Sequence, residues 1–115
     1  MLKLNRVVQE GNFFPVVSSY EKILLCFSSS CCGGCKVMQN RLAHLLEKDE
    51  SILVCDVDAE VEYSLCETYD VRTLPTFVYI REIDGQKVST KLVGAVPEYE
   101  LKAFLFPVNE PQESW

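Results

Sequence analysis

An uninterrupted apolar run, followed at once by a helical pattern, constrains this chain more than any other feature. Residues 23–27 read Ile-Leu-Leu-Cys-Phe and have polar residues on either side. Such a run predicts a strand buried on both faces, as in a parallel sheet. In residues 33–48, which follow, Met38 and Leu42 recur at helical spacing while charged residues such as Arg41 fall outside the apolar stripe. A buried strand leading into an amphipathic helix predicts an α/β fold.

The rest of the chain repeats this alternation and then closes with a hairpin and a helix. Pro15 limits how regular a helix can be after Gly11, unless the proline lies in the first turn, and Asp84-Gly85 is a hairpin signal. The pattern predicts a weak strand at residues 4–8, a short irregular or helical piece from Gly11, a second buried strand at 52–55 leading to Asp58, a short helix marked by Val61 and Leu65, paired strands at 76–80 and 87–93, and a last helix opened by Pro97.

Composition limits the chain to one globular domain. It has 115 residues, of which 48% are hydrophobic and 24% charged, the usual mixture for a folded domain. We assign residues 1–106 to the domain and residues 107–115 to a polar tail. No apolar run approaches the roughly 20 residues of a membrane-spanning helix. The net charge of −6 disfavours binding to nucleic acid because phosphates repel an acidic surface.

The N-terminus bears on how the cysteines are interpreted. Residues 1–8 alternate polar and apolar types and form no export signal, so we expect a cytoplasmic protein. Structural disulfides are rare in that compartment. The six cysteines stand at positions 26, 31, 32, 35, 55 and 66, with three of them inside five residues. That density favours chemistry over a disulfide scaffold.

Cys32 and Cys35 flank two glycines between the predicted strand and helix. The first sulfur then lies at a helix N-terminus, where free backbone N–H groups and the helix dipole favour a thiolate. The second lies one turn further in, within reach of a mixed disulfide on the first. Because the thiolate is the nucleophile, the spacing predicts Cys32 as the attacking thiol and Cys35 as the resolving thiol. Zinc ribbons also use this spacing, but the flanking strand and helix favour redox chemistry.

The sequence resembles thioredoxin from about Lys3 to Phe106. The resemblance rests on the strand at 23–27, Cys-Gly-Gly-Cys-Lys at 32–36, Val57-Asp58, Leu74-Pro75-Thr76, Asp84-Gly85 and Val93-Gly94-Ala95. It implies the thioredoxin fold, a central mixed β-sheet flanked by helices on both faces, with a cis Leu74–Pro75 bond beside the dithiol. It also implies an apolar groove for an extended substrate peptide, made of Cys31, Gly33, Gly34, Leu74, Pro75, Gly94 and Ala95.

The resemblance further implies an activity, protein-disulfide reduction through a Cys32/Cys35 dithiol–disulfide cycle. It implies no metal and no cofactor in the chain, protein disulfides as substrates, and a flavin-dependent thioredoxin reductase as the electron donor. We expect a monomer that binds neither nucleic acid nor a membrane.

Several positions depart from the family's usual pattern. Cys31 stands in place of the usual Trp, Gly34 in place of Pro, and Asn40 in place of the helix proline. The family's buried carboxylate and its partner lysine correspond to Cys26 and Val54. With both groups missing, we expect deprotonation of Cys35 to depend on water and to be slow.

Two other classes of function stay open from the sequence. Cys31, Cys32 and Cys35 could bind a metal or an iron–sulfur cluster as soft ligands, with a fourth ligand from a second chain or an outside thiol. The chain could also be a thioredoxin-fold interaction module that binds a partner without turnover. Cys31 itself has three interpretations, namely a groove residue, a third redox thiol and a metal ligand.

The remaining reactive side chains have structural interpretations. Cys26 and Cys55 lie in apolar strand runs and are expected in the core. Cys66 has acidic neighbours that disfavour a thiolate, and His44 is expected at the surface or its boundary. The acidic string from Asp56 to Glu62 is interpreted as a solvated strand end. The alternative interpretation is that Asp58 is the acid nearest the dithiol.

Overall fold

The computed structural model of the chain describes residues 5–7, 10–47, 49 and 51–107. The predicted tail, apart from Pro107, lies outside these residues. Within them the elements follow in the order β1 (Asn5–Val7), α1 (Glu10–Ser19), β2 (Lys22–Ser28), α2 (Gly33–Leu45), β3 (Leu53–Asp58), α3 (Tyr63–Thr68), β4 (Thr76–Ile83), β5 (Gln86–Val93) and α4 (Glu98–Leu105).

The strands form one mixed sheet in the order β1-β3-β2-β4-β5. Strands β1 and β2 run parallel to β3, whereas β4 is antiparallel to both β2 and β5. The central position of β2 explains its apolar run, since residues 23–27 are at most 5% exposed. Ser28 is in register with Asp58, so the carboxyl ends of β2 and β3 lie side by side. That edge of the sheet carries the loop leading to Cys32.

Helices cover both faces of this sheet, which confirms the predicted α/β architecture. On one face α1 and α3 pack against a first core cluster, which contains Ile23, Leu25, Phe27, Leu53, Cys55, Val57, Leu65, Val78 and Ile80. On the other face α2 and α4 pack into a second core cluster, which contains Leu24, Cys26, Met38, Leu42, Leu46, Ile52, Val54, Phe77, Tyr79, Leu101 and Leu105.

The structure refines one local prediction and corrects another. Of the irregular and helical alternatives for the piece after Gly11, the helical one is right, but Pro15 lies in the middle of α1 and not in its first turn. The helix continues although proline supplies no N–H for the bond to residue 11. Val61 precedes α3 and is 62% exposed, so the apolar face of that short helix rests on Leu65.

The predicted hairpin turn is confirmed between β4 and β5. Asp84 and Gly85 both have positive φ values, 53° and 79°, as a type I′ turn requires. Among the described residues, no helix has both the length and the apolar character needed to cross a membrane.

Candidate active site

Cys32 and Cys35 lie at the start of α2 and are joined by a disulfide with a Cα–Cα distance of 5.3 Å. Cys32 is the N-cap of the helix, in extended conformation, and its Sγ accepts a hydrogen bond from the backbone N–H of Cys35 at 3.2 Å. A capping side chain usually accepts a hydrogen bond from one of the unpaired N–H groups at the start of a helix. Here Sγ of Cys32 is the acceptor, and a negatively charged sulfur would accept this hydrogen bond more strongly.

The two sulfurs differ in their access to solvent. Cys32 is half-buried, whereas Cys35 is only 3% exposed. An incoming disulfide can reach the first sulfur and not the second. This asymmetry fits one attacking and one resolving thiol.

Three of the predicted groove residues meet directly beside this pair. A Cβ built on Gly34 would lie 3.4 Å from Cδ of Pro75 and 3.5 Å from Cβ of Ala95. The Leu74–Pro75 peptide bond is cis, as the resemblance implied. The backbone N–H of Gly94 donates a 2.8 Å hydrogen bond to the carbonyl of Pro75. The turn after β5 is thereby attached to the segment before β4.

The other predicted groove residues have different surroundings. Cys31 is exposed, and its Sγ lies 3.9 Å from Oγ of Ser30. Gly33 faces open space. Leu74 is half-buried and packs against the first core cluster. Its side chain therefore contributes to the core more than to the groove. A substrate-binding role for each of these residues stays a prediction.

A contact that the sequence did not predict holds the loop after Gly94 against α2. The backbone N–H of Val96 donates to Sδ of Met38 at 3.3 Å, and the Arg41 guanidinium donates to the carbonyl of Val96. Arg41 is half-buried as a result, although the helical pattern places it outside the apolar stripe. One turn on, Nδ1 of His44 lies 2.8 Å from Oε2 of Glu98. These contacts hold the segment from Val96 to Glu98, which follows the predicted groove residues Gly94 and Ala95, against the helix that carries the cysteines.

An acidic cleft of about 420 Å³ opens at the carboxyl ends of β2 and β3. Its lining residues are Ser28, Ser29, Ser30, Gln39, Asp56, Val57, Asp58 and Glu60. Asp58, the acid nearest the dithiol in the alternative interpretation, is exposed, and its Oδ1 accepts the backbone N–H of Glu60 at 3.0 Å. The half-buried acid of the cleft is Asp56, whose pKa is raised by desolvation.

Asp56 stands directly beside Cys26, its partner in the parallel pairing of β2 and β3. Burial raises the pKa of the Cys26 thiol well above its usual range, and the charges of Asp56 and Cys55 raise it further. Cys26 is therefore a neutral thiol in the second core cluster, as predicted for a core cysteine. Sequence reasoning named both residues but missed their pairing, because the register between strands is not visible in the chain.

The remaining cysteines are separated from the dithiol. Cys55 belongs to the first core cluster, on the opposite face of the sheet from Cys26. Burial, followed by the charge of Glu62, raises the pKa of the half-buried Cys66 thiol, in agreement with its predicted inertness. Within the described residues, no group of three or more Cys, His, Asp or Glu side chains is arranged to hold a metal ion.

Comparison with known proteins agrees with this geometry. The family model described as Thioredoxin matches residues 5–106. The mitochondrial thioredoxin of Mus musculus is 33% identical over 101 residues, which cover 85% of this chain and 59% of that protein. The mitochondrial thioredoxin-3 of Saccharomyces cerevisiae is 32% identical over 96 residues, covering 82% and 72%. The chain thus spans less than two thirds of the mouse relative's length.

Solved structures show the same fold. Oxidized mitochondrial thioredoxin 3 from Saccharomyces cerevisiae superposes with a TM-score of 0.75 at 24% identity, covering 89% of this chain and 92% of the other. A mutant thioredoxin from Halobacterium salinarum gives a TM-score of 0.72 at 27% identity, covering 89% and 88%.

Proposed function

The chain belongs to the thioredoxin family, and on that premise we propose that it reduces protein disulfides through a cycle of Cys32 and Cys35. The observation that carries this proposal is the state of Cys32, a half-buried N-cap sulfur that accepts the N–H of a buried Cys35. An N–H donor and a helix N-terminus both favour the thiolate form of such a sulfur.

The reaction transfers two electrons from the dithiol to the substrate disulfide. The Cys32 thiolate attacks one substrate sulfur, forming a mixed disulfide and releasing the other substrate sulfur as a thiolate. The Cys35 thiolate then attacks Sγ of Cys32, the Cys32–substrate bond breaks, and the second substrate thiolate leaves. The proton from Cys35 passes to a base, and the chain ends as the Cys32–Cys35 disulfide.

Binding of the substrate chain is proposed for the surface beside the dithiol. Gly34, Pro75, Gly94 and Ala95 lie together there, and Cys31 and Gly33 are exposed next to them. A glycine at position 34 lets a substrate backbone approach closely. The proposal includes an electron donor of the thioredoxin reductase type, which returns the disulfide to the dithiol. It also includes a protein that acts as a monomer in the cytoplasm.

Turnover of insulin disulfides, with dithiothreitol as the recycling reductant, tests this function. Wild-type protein is compared with Cys32→Ser and with Cys31→Ser. We expect rapid reduction that Cys32→Ser abolishes and Cys31→Ser preserves. A wild-type rate equal to that of dithiothreitol alone would contradict the proposal.

A further inference from the structure

We propose that Asp56 accepts the proton that the Cys35 thiol must lose before it can displace the substrate from Cys32. The inference rests on the proposed function and assigns a residue to its second step. Asp56 acts through Cys35 and does not touch the substrate.

The second step needs a proton acceptor because of where Cys35 lies. Only a thiolate attacks a disulfide at a useful rate, yet Cys35 is 3% exposed, and burial disfavours the charged form of a thiol. A base within hydrogen-bond reach, or one water away, lowers this barrier.

The sheet directs Asp56 toward the helix that carries Cys35. Residues two apart on a strand share a face, so Asp56 lies on the same face as Val54, which packs in the second core cluster with residues of α2. Its partner across the β2–β3 pairing, Cys26, belongs to that cluster as well. Gln39, one turn after Cys35 on α2, lines the acidic cleft together with Asp56.

The cleft gives water access to Asp56 and to Gln39. Its volume of about 420 Å³ is large enough for several water molecules. Ser28, Ser29 and Ser30, which lead toward Cys32, line one side of it. On this proposal the proton passes from Cys35 to Asp56, and the cleft that Asp56 lines then lets it pass to bulk solvent.

Asp56 is the best acceptor among the groups that surround it. From β2 it faces Cys26, a neutral thiol, and from α2 it faces the uncharged Gln39. On the β1 side its register partner is Val7. Asp58 and Glu60 line the same cleft. They are exposed, and Asp58 already accepts the backbone N–H of Glu60.

Desolvation supports the assignment. It raises the pKa of the Asp56 carboxyl above the ordinary aspartate value, and a carboxylate with a higher pKa is a stronger base at neutral pH. In the second step of the cycle Asp56 takes up the proton of Cys35, and the Cys32–Cys35 bond forms. Asp56 returns the proton to solvent after the substrate thiolate has left.

Two-phase release of thionitrobenzoate tests the proposal. Reduced protein, in a Cys31→Ser background and in excess over 5,5′-dithiobis(2-nitrobenzoate), releases one thionitrobenzoate when Cys32 attacks and a second when Cys35 closes the disulfide. We expect Asp56→Asn to keep the first rate within about twofold and to slow the second by about 100-fold at pH 7, the low end of what a positioned base contributes. The pH profile of the second phase should also lose one ionisation.

Asp58→Asn is the matched control, because it removes a carboxylate from the same cleft, and Cys35→Ser gives the baseline without a second phase. The proposal would be overturned if Asp56→Asn and Asp58→Asn had equal second phases, if the pH profile were unchanged, or if Asp56→Asn slowed both phases alike. Absence of the first phase in the Cys31→Ser protein that keeps Asp56 and Asp58 would instead overturn the proposed reductase function.

Discussion

Gly34 faces Pro75 across the active-site groove with room for one methyl group and little more. A Cβ added to Gly34 would lie 3.4 Å from Cδ of Pro75 and 3.5 Å from Cβ of Ala95, which are ordinary contact distances. The glycine therefore leaves a small gap between the first turn of α2 and the cis-proline segment.

Filling this gap with Gly34→Ala should stabilise the protein. Replacing a helical glycine by alanine lowers the entropy of the unfolded chain and contributes about 0.4–1 kcal/mol where the geometry permits it. Gly33→Ala is the control, because a Cβ there meets nothing within 4 Å. Urea unfolding should show that both variants gain stability and that Gly34→Ala gains at least as much. A loss of stability in Gly34→Ala alone would mean that the groove is tighter than described.

The parts of the site that were predictable from sequence are those that depend on neighbouring residues. The apolar run at 23–27 predicted the central strand, and the spacing of Cys32 and Cys35 placed both sulfurs at the start of a helix. The cis bond before Pro75 came from the family resemblance, since nothing local in the chain distinguishes it from a trans bond.

The parts that were not predictable depend on contacts between distant segments. In the sequence Arg41 has the pattern of a solvent-exposed helical residue. In the structure the loop at Val96 lies against it, and the carbonyl of Val96 accepts a hydrogen bond from its guanidinium. Asp56 looks like one member of an acidic string until the register of β3 against β2 places it beside Cys26. The loop path depends on contacts between segments far apart in the chain. Strands β2 and β3 are parallel and joined by a crossover through α2, so no hairpin turn marks which residues pair.

Exposure predicts a definite order of alkylation among the four cysteines outside the disulfide. In the oxidised protein, iodoacetamide should modify the exposed Cys31 first and the half-buried Cys66 more slowly, because burial raises the pKa of the Cys66 thiol. Cys26 and Cys55 are buried and should react only after unfolding. Peptide mapping by mass spectrometry, with and without urea, gives the order. Early modification of Cys26 would contradict the buried environment assigned to it.

Asp56 should cost the protein stability at neutral pH. Folding raises the pKa of its carboxyl through desolvation, so the folded state holds this proton more tightly than the unfolded state. The stability that this proton contributes is therefore fully present below the unfolded value of about 3.9 and is lost as the pH rises through the raised folded value.

Asp56→Asn removes this titration and should therefore stabilise the protein at pH 7. We expect the free energy of unfolding to rise by a few tenths to about 1 kcal/mol. The rise is small because solvent screens a half-buried group. The gain should vanish in acid, where the wild-type carboxyl is protonated. Thermal unfolding of both proteins from pH 3 to pH 8 measures it. Destabilisation by Asp56→Asn at pH 7 would contradict the desolvated environment, and Asp58→Asn, at an exposed position, is the control.

Cys32 and Cys35 have different roles in the proposed cycle, and trapping the mixed disulfide distinguishes the two sulfurs. Cys35→Ser and Cys32→Ser are each incubated with insulin and examined by mass spectrometry without reductant. Because Cys32 attacks and Cys35 resolves, Cys35→Ser should accumulate an insulin adduct on the peptide carrying Cys32, and the adduct should persist when Cys31→Ser is added. Cys32→Ser should give none. An adduct attached through Cys31, or equal trapping by both variants, would contradict the account.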